Sequence, residues 1–251
     1  MNMPATIEVN NLALCEPLPP ASYSCQAVEL SRLSSSVMCV QLVVPQEFPR
    51  HQAGQYIELV LADGSSRPYS IAGYTPEIRY LELHIELRQD SQTGHSIIQQ
   101  LRHQGEIAVK PAQGSVQLKS AAGAQVFLAA GTGFAQIKAL MEQHLSDLKA
   151  QPNKQPTYLF WGTDHAEQRY LESLVESWCS DCADLHYRPL DWQAGDSWEA
   201  AVSAELEQLE HCQVYACGSP QRVFQTLDAL EQAGLPSANL QSDIFAYAPR
   251  P

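Results

Sequence analysis

The hydrophobic rhythm of this chain changes once, near Gly123, and that change calls for two kinds of sheet in one molecule. From about Tyr23, apolar residues come in short alternating runs bounded by Gly, Pro, Asp or Ser: Ser24–Leu30, Val37–Val44, Tyr56–Leu61, Tyr69–Ala72, Leu81–Leu87 and Glu106–Pro111. The run Leu81-Glu82-Leu83-His84-Ile85-Glu86-Leu87-Arg88 alternates without a break, so it buries one face only. These six short strands, with one helix-like insert at Ser96–His103, predict a small antiparallel β-barrel.

After Gly123 the text becomes strand, helix, strand, helix. Val126–Ala130, Thr157–Trp161, Leu185–Pro189 and Gln213–Cys217 are short apolar runs, separated by helical periods at Gln136–Lys149, Ala166–Trp178, Ser197–Leu209 and Pro220–Gln232. Ile137, Leu140, Met141, His144, Leu145 and Leu148 carry the i, i+3, i+4 spacing of one buried helical face. Alternating βα units imply a parallel sheet with helices on both sides, and Leu240–Tyr247 reads as a closing strand. The expected fold is therefore two-domain, a β-barrel over residues 22–118 and an α/β parallel-sheet domain over 122–251. Pro17, Pro19 and Pro20 make residues 1–21 an extended arm.

Length and charge fit that division. With 251 residues, each domain can bury a core of its own. The formal net charge of −13 argues against nucleic acid, which needs a basic footprint. Residues 1–120 hold 8 Lys/Arg and 11 Asp/Glu, net −3, whereas residues 121–251 hold 7 and 17, net −10, as two domains with different surfaces would. No apolar run approaches the roughly 20 residues of a membrane span. The opening MNMPATIEVNNLALCEPLPP has neither a basic nor a continuous apolar region, so a cytoplasmic protein is expected. Seven scattered cysteines suit reduced thiols. Cys179-x-x-Cys182 has no matching second pair and the C-x4-C-x2-C cluster spacing is absent, so no metal is expected.

Four stretches carry chemistry. Arg67-Pro68-Tyr69-Ser70-Ile71 sets a cation, an aromatic ring and a hydroxyl on one strand, the requirements of a flavin's phosphate, ring and N5 region. Alternation puts Arg67 and Tyr69 on one face and Pro68 and Ser70 on the other. The same residues also read as a surface arginine and a packed tyrosine. Gly94-His95-Ser96 reads as a glycine turn with a serine cap opening the barrel's helix, either an anion site for a pyrophosphate or a plain surface cap. Val126–Ala130 runs into Gly131-Thr132-Gly133-Phe134, where the glycines let a ligand approach the backbone at the carboxyl end of a parallel sheet. This is not the GxGxxG fingerprint. Cys217-Gly218-Ser219-Pro220 leaves another buried strand at the same sheet edge, where Cys217 can touch a nicotinamide or simply fill space. Asp164 ends a third strand, placed to accept a ribose 2′-OH and to repel a 2′-phosphate, with Arg169 able to offset that repulsion. His84 alternates with Glu82 and Glu86 and is expected to be solvated.

RPYSIAG, the LHIELR strand, the PAQGSV turn, AAGTGFAQ, YLFWG, YACGSP and the ending SDIFAY together resemble the ferredoxin–NADP⁺ reductase-like superfamily, and within it the small NAD(P)H:flavin oxidoreductases. The resemblance covers roughly residues 22–251. It implies a flavin-binding barrel and an NAD(P)-binding α/β domain, with FAD, or FMN or riboflavin as substrate, reduced by NADH or NADPH. In its terms Arg67 meets the flavin chain or phosphate, Tyr69 the ring and Ser70 the N5 region, with Pro68, Ile71, His84 and Ile85 beside them. Gly94 and Ser96 hold the pyrophosphate, and Gly131, Thr132 and Gly133 line the nicotinamide site with Cys217 and Gly218. Phe245 or Tyr247 lies near the flavin. Ser70 and Cys217 are the expected catalytic pair. Departures are Ala130 for a glycine, Gln136 for a proline, and an acid at position 164 where arginine is common.

The expectation is a reductase passing hydride from a pyridine nucleotide to flavin. One rival is an FAD-containing electron-transfer component that donates to a separate ferredoxin or oxygenase partner. The other is a non-catalytic subunit that keeps the fold.

Overall fold

A computed structural model describes residues 21–73, 79–150 and 155–250. The arm expected over residues 1–21 lies outside them, Ala21 excepted. The first half forms β1 (Tyr23–Arg32), β2 (Val37–Val43), β3 (Tyr56–Val60), β4 (Ser66–Ser70), β5 (Tyr80–Glu86), α1 (Thr93–Gln104) and β6 (Glu106–Val109). The strands pair antiparallel in the order β4-β3-β6-β1-β2-β5. A bridge from Ile71 to Leu83 brings the two edges together, so the sheet curls into a barrel. Alternation directs Ile57 and Leu59, then Leu81, Leu83 and Ile85, into a fully buried core. Helix α1 closes the core with Ile97, Ile98 and Leu101.

The second half forms β7 (Gln125–Ala130), α2 (Phe134–Ala150), β8 (Thr157–Thr163), α3 (Glu172–Asp181), β9 (Leu185–Asp191), α4 (Trp198–Glu205), β10 (Gln213–Cys217), α5 (Pro220–Gln232), β11 (Leu240–Gln241) and the single turn α6 (Ile244–Tyr247). Its five strands run parallel in the order β11-β10-β7-β8-β9. One face is covered by α2 and α3 through Ile137, Leu140, Met141 and Val175, the other by α4 and α5 through Val202, Val223, Leu227 and Leu230. The chain builds outward from β7 through β8 to β9 and then returns to lay β10 on the opposite side of β7. That reversal opens a crevice at the carboxyl ends of β7 and β10. Among the described residues no helix is long and apolar enough to cross a membrane.

Several local expectations are corrected. The closing strand expected over Leu240–Tyr247 pairs only at Leu240 and Gln241, against Val214 and Tyr215. The chain then turns, because burying Ile244 in the α5 side of the core and setting Phe245 against Phe224 needs a helical rather than an alternating path. The strand expected at Tyr69–Ala72 is β4, Ser66–Ser70, since its register with β3 pairs Tyr56 with Ser70 and Val60 with Ser66. Past it the backbone changes partners: Ile71 N–H donates to Gln55 and Ala72 N–H to Glu82. Helix α1 begins at Thr93, so Ser96 lies inside it, its own N–H donating to the Gln92 carbonyl, and is not the cap. The helix expected at Ala166–Trp178 is a 3-10 turn, Ala166–Gln168, followed by α3.

The halves meet along α2. Lys138, almost wholly buried on that helix, reaches the barrel: its Nζ lies 3.2 Å from Glu82 Oε1 and donates to the Ala72 carbonyl at 3.1 Å, while Glu142 holds it from one turn on at 2.7 Å. His84 is buried at this junction rather than solvated, bonded through Nδ1 to the Tyr170 hydroxyl at 2.8 Å and through Nε2 to Glu82 at 2.9 Å. The polar face of β5 points at the other half of the molecule, not at water.

Candidate functional site

Where the crevice of the parallel sheet faces the barrel, a cleft of about 420 Å³ opens between the halves, a size ordinary for a small-molecule site. The barrel contributes Tyr56, Glu58, Pro68 and Ser70. In the register of β3 with β4, Tyr56 pairs with Ser70 and Glu58 with Pro68, so all four share the outward face. Tyr69 and Arg67 pair with Ile57 and Leu59 on the other face. Tyr69 packs against the barrel core, and Arg67 is exposed with Nη1 on the Ser66 carbonyl. The alternation read from the sequence thus divides RPYS as expected, and it is Pro68 and Ser70 that line the cleft.

The parallel sheet contributes Cys217 and Gly218 at the end of β10, and Gln136 from the first turn of α2. Gly131–Gly133 forms a 3-10 turn after β7, with Gly131 at φ +51° and its carbonyl accepting from Trp161 Nε1 at 3.0 Å. Gly133 rests directly on the Cys217 backbone: a Cβ there would lie 2.4 Å from the Cys217 carbonyl oxygen. Positions 133 and 217 therefore form one surface. Tyr247 joins the wall from α6, whereas Phe245 turns away onto Phe224, with ring centroids 5.5 Å apart.

Charge in the cleft is tuned by its surroundings. The bonded Lys110 ammonium (2.6 Å) and Ser66 hydroxyl (2.5 Å) hold the Glu58 carboxyl below the usual range. Burial pushes Asp243 up to about 6, opposed by a hydrogen bond from Gln136. Burial also pushes the Cys217 thiol up to about 12, with the Asp243 charge adding to the shift. Cys217 is accordingly a neutral thiol at physiological pH, not a thiolate nucleophile.

The remaining expected residues lie elsewhere. Ile85 is fully buried in the barrel core, leaving its side chain out of reach of a ligand. Gly94 is buried where α1 meets β5, and a Cβ there would lie 2.4 Å from the Glu86 carbonyl oxygen, so helix packing requires a glycine at this position. Ser96 is exposed on α1. Asp164 is exposed beyond β8, its N–H donating to Gln168 Oε1. Arg169 is bound to Glu172 at 2.9 Å and to Thr163 Oγ1 at 3.1 Å, so it does not stand free beside Asp164. The Cys179 and Cys182 thiols are not bonded to each other. Cys39, Glu82 and His84 cluster closely, but both His84 nitrogens are taken and Lys138 already neutralises Glu82.

Sequence reasoning missed Tyr56, Glu58, Asp243 and the role of Gln136. For Gln136 there was a signal, a polar residue at the start of an otherwise apolar helix face. For Tyr56 and Glu58 the signal was the register opposite Ser70 and Pro68, which needs a pairing partner to be known.

Comparison with known proteins gives a consistent set. A family model described as an oxidoreductase NAD-binding domain matches residues 127–227. The chain is 30% identical over 210 residues to terephthalate 1,2-dioxygenase reductase component 1 from a Comamonas species, a match covering 80% of this chain and 61% of that protein. The chain thus spans less than two thirds of that relative. It is 28% identical over 193 residues to an NAD(P)H-flavin reductase from Vibrio harveyi, covering 70% of this chain and 78% of the relative. The crystal structure of a ferredoxin NADP⁺ reductase from Neisseria gonorrhoeae with bound FAD and NADP superposes with a TM-score of 0.70 at 16% identity, over 86% of this chain and 93% of that one. It has the same fold.

Proposed function

The chain belongs to the ferredoxin–NADP⁺ reductase-like superfamily, and from that premise we propose that it is a flavin-dependent oxidoreductase passing hydride from NADH or NADPH to FAD or free flavin. One observation carries the reading: Ser70 at the end of a barrel strand and Cys217 at the end of a parallel strand line the same cleft. The proposed division is a flavin-binding half over residues 22–118 and a nucleotide-binding half over 122–251, in a cytoplasmic protein.

The residues fit a flavin. Tyr56 and Tyr247 offer ring surfaces, Ser70 a hydroxyl, and Arg67, exposed on the opposite face of the same strand, a cation for a phosphate chain. A bound flavin would supply the hydride acceptor itself. The chain supplies position, and hydride transfer asks for that more than for acid–base chemistry. Ser70 would offer its hydroxyl to the flavin at the strand end. Gly131 and Gly133 let a nucleotide approach the backbone, and Cys217, packed on Gly133, fixes the depth of the floor as an uncharged side chain. Gly94 and Ser96 bear on a pyrophosphate only through the first turn of α1, and Asp164 on the nucleotide's ribose.

A second reading has its own support in the similarity to an oxygenase reductase component. In it the chain keeps FAD and hands electrons to a separate ferredoxin or oxygenase. The absorption spectrum before and after anaerobic addition of NADH, and separately of NADPH, tests the first claim: bleaching of flavin absorbance by either supports it, and a spectrum unchanged by both with flavin present sinks it. Flavin that survives desalting favours the electron-transfer component, and flavin lost on desalting favours the flavin reductase.

A further inference from the structure

Gln136 is 1% exposed and forms part of the cleft wall in the first turn of α2. Its Nε2 donates to the Gly54 carbonyl at 2.6 Å and to the Asp243 carboxylate. Both partners are acceptors, so the amide is fixed with its NH₂ end towards them. Its Oε1 is left buried with no partner among the described residues. An unpaired buried acceptor costs about 1–3 kcal/mol and is kept in native proteins for a reason. Oε1 of Gln125 and Gln213 and Nε1 of Trp198 are also unpaired, but of these four residues only Gln136 belongs to the wall shared by Ser70 and Cys217.

We propose that Gln136 Oε1 accepts a hydrogen bond from the carboxamide N–H of the nicotinamide ring, making Gln136 the residue that reads the 3-substituent of the pyridine nucleotide. The assignment rests on reading the cleft as the place where nucleotide meets flavin. An acceptor fixed by its own network is complementary to a ligand that brings a donor, and the carboxamide brings two. Gln136 also stands three residues after Gly133, on the half of the molecule expected to carry the nucleotide, and not on the barrel. Its two Nε2 bonds hold the side chain in place before any ligand arrives, so little rotamer entropy is lost on binding. Oε1 is sealed from water, so the proposal requires a wall residue to give way as the amide binds, and Tyr247, 66% exposed, is a loosely packed side chain of that wall.

The test compares oxidised dinucleotides by calorimetry on the flavin-loaded protein, so redox potentials do not enter. The ligands are the natural cofactor, its thionicotinamide analogue, which keeps the NH₂, and its 3-acetylpyridine analogue, in which a methyl replaces the NH₂. The acetylpyridine form should bind about tenfold more weakly, as expected for one lost hydrogen bond, with the thio form within about twofold of the natural cofactor. In Gln136→Met the natural cofactor should fall to the acetylpyridine level and the discrimination vanish. Equal binding of all three by the unaltered protein, which is also what an ordered water on Oε1 would give, overturns the assignment without need of the variant. So does equal weakening of both analogues, or discrimination that survives in Gln136→Met. Failure of every dinucleotide to bind overturns the reading of the cleft along with it, a distinct result.

Discussion

His84 Nδ1 and the Tyr170 hydroxyl, 2.8 Å apart, join strand β5 of the barrel to the segment leading into α3. Glu82 accepts at the other ring nitrogen, so Nε2 carries the hydrogen and Nδ1 accepts the hydrogen bond that the Tyr170 hydroxyl donates. The Tyr170 ring stands edge-on to Trp161, with centroids 5.4 Å apart, and Trp161 Nε1 donates to the Gly131 carbonyl. A single run of contacts leads from the barrel to the turn that opens α2.

Tyr170→Phe removes the hydroxyl and leaves His84 Nδ1 buried without a donor. The expected loss is about 1–3 kcal/mol of unfolding free energy, read by urea denaturation. An unchanged midpoint and slope would mean that the contact contributes nothing.

Ser70→Ala removes the hydroxyl proposed to meet the flavin while leaving the backbone pairing of β4 with β3 intact. Flavin reduction by NADH should slow about tenfold in stopped-flow traces, with stability within about 0.5 kcal/mol of the parent. Equal rates would remove Ser70 from the chemistry.

Gly133→Ala puts a methyl group 2.4 Å from the Cys217 carbonyl oxygen, on backbone that has little room to move. The expected cost is about 1–3 kcal/mol of stability, together with weaker nucleotide binding by calorimetry, because the turn and the β10 end must separate. Gly131→Ala meets no neighbouring atom and is strained only by its positive φ, so it should leave the Cys217 contact intact.

Two buried groups pull stability in opposite directions between about pH 4 and 6. Burial holds His144 down at about 4, its Nε2 bonded to Thr157 at 2.8 Å. The unfolded chain protonates it from about 6.5 downward, so acidification through that window costs stability, on the order of 3 kcal/mol when complete. Asp243 is raised to about 6, so its contribution is full below the unfolded value of 3.8 and is lost as pH rises to about 6. These two contributions oppose each other across this window. Relative to the parent, Asp243→Asn should therefore lose stability more steeply on acidification, and His144→Gln less steeply. Parallel pH profiles of the two variants, measured by denaturant titration, would contradict both assignments.

Much of this was legible in the sequence because it is written locally. The unbroken alternation of Leu81–Arg88 marks β5, and the i, i+3, i+4 spacing from Ile137 to Leu145 marks the buried face of α2. The polar face of β5 was also read correctly as a face. What the pattern could not say is that Lys138 and Tyr170 would cover it, since they lie in elements that meet β5 only after both halves have folded. Periodicity distinguishes one side of a strand from the other, not water from a polar neighbour.

The cleft was legible at its two turns and obscure elsewhere for the same reason. Glycine before a helix and Gly-Ser-Pro after a strand are conformational signatures of one short segment. Gln136 acts through Gly54 and Asp243, which stand far from it in the chain on either side. Tyr56 and Glu58 enter the cleft only through their register with β4. The misread ending has a local cause: Leu240–Tyr247 has a strand's composition, but β10 offers it only two paired residues before Ile244 finds a better place in the core.

The reversal of strand order between β7 and β10 also bears on the order of assembly. Strands β7, β8 and β9 can zip together as each is completed, because each neighbour follows shortly in the chain. Strand β10 must instead travel back past them and dock on the far side of β7, a long loop to close and so a late step. The contact of Gly133 with Cys217 forms at that step and no sooner. An intermediate that stalls beforehand has most of a sheet but no crevice, so the maturing chain offers ligands nothing to seize until its architecture is nearly finished.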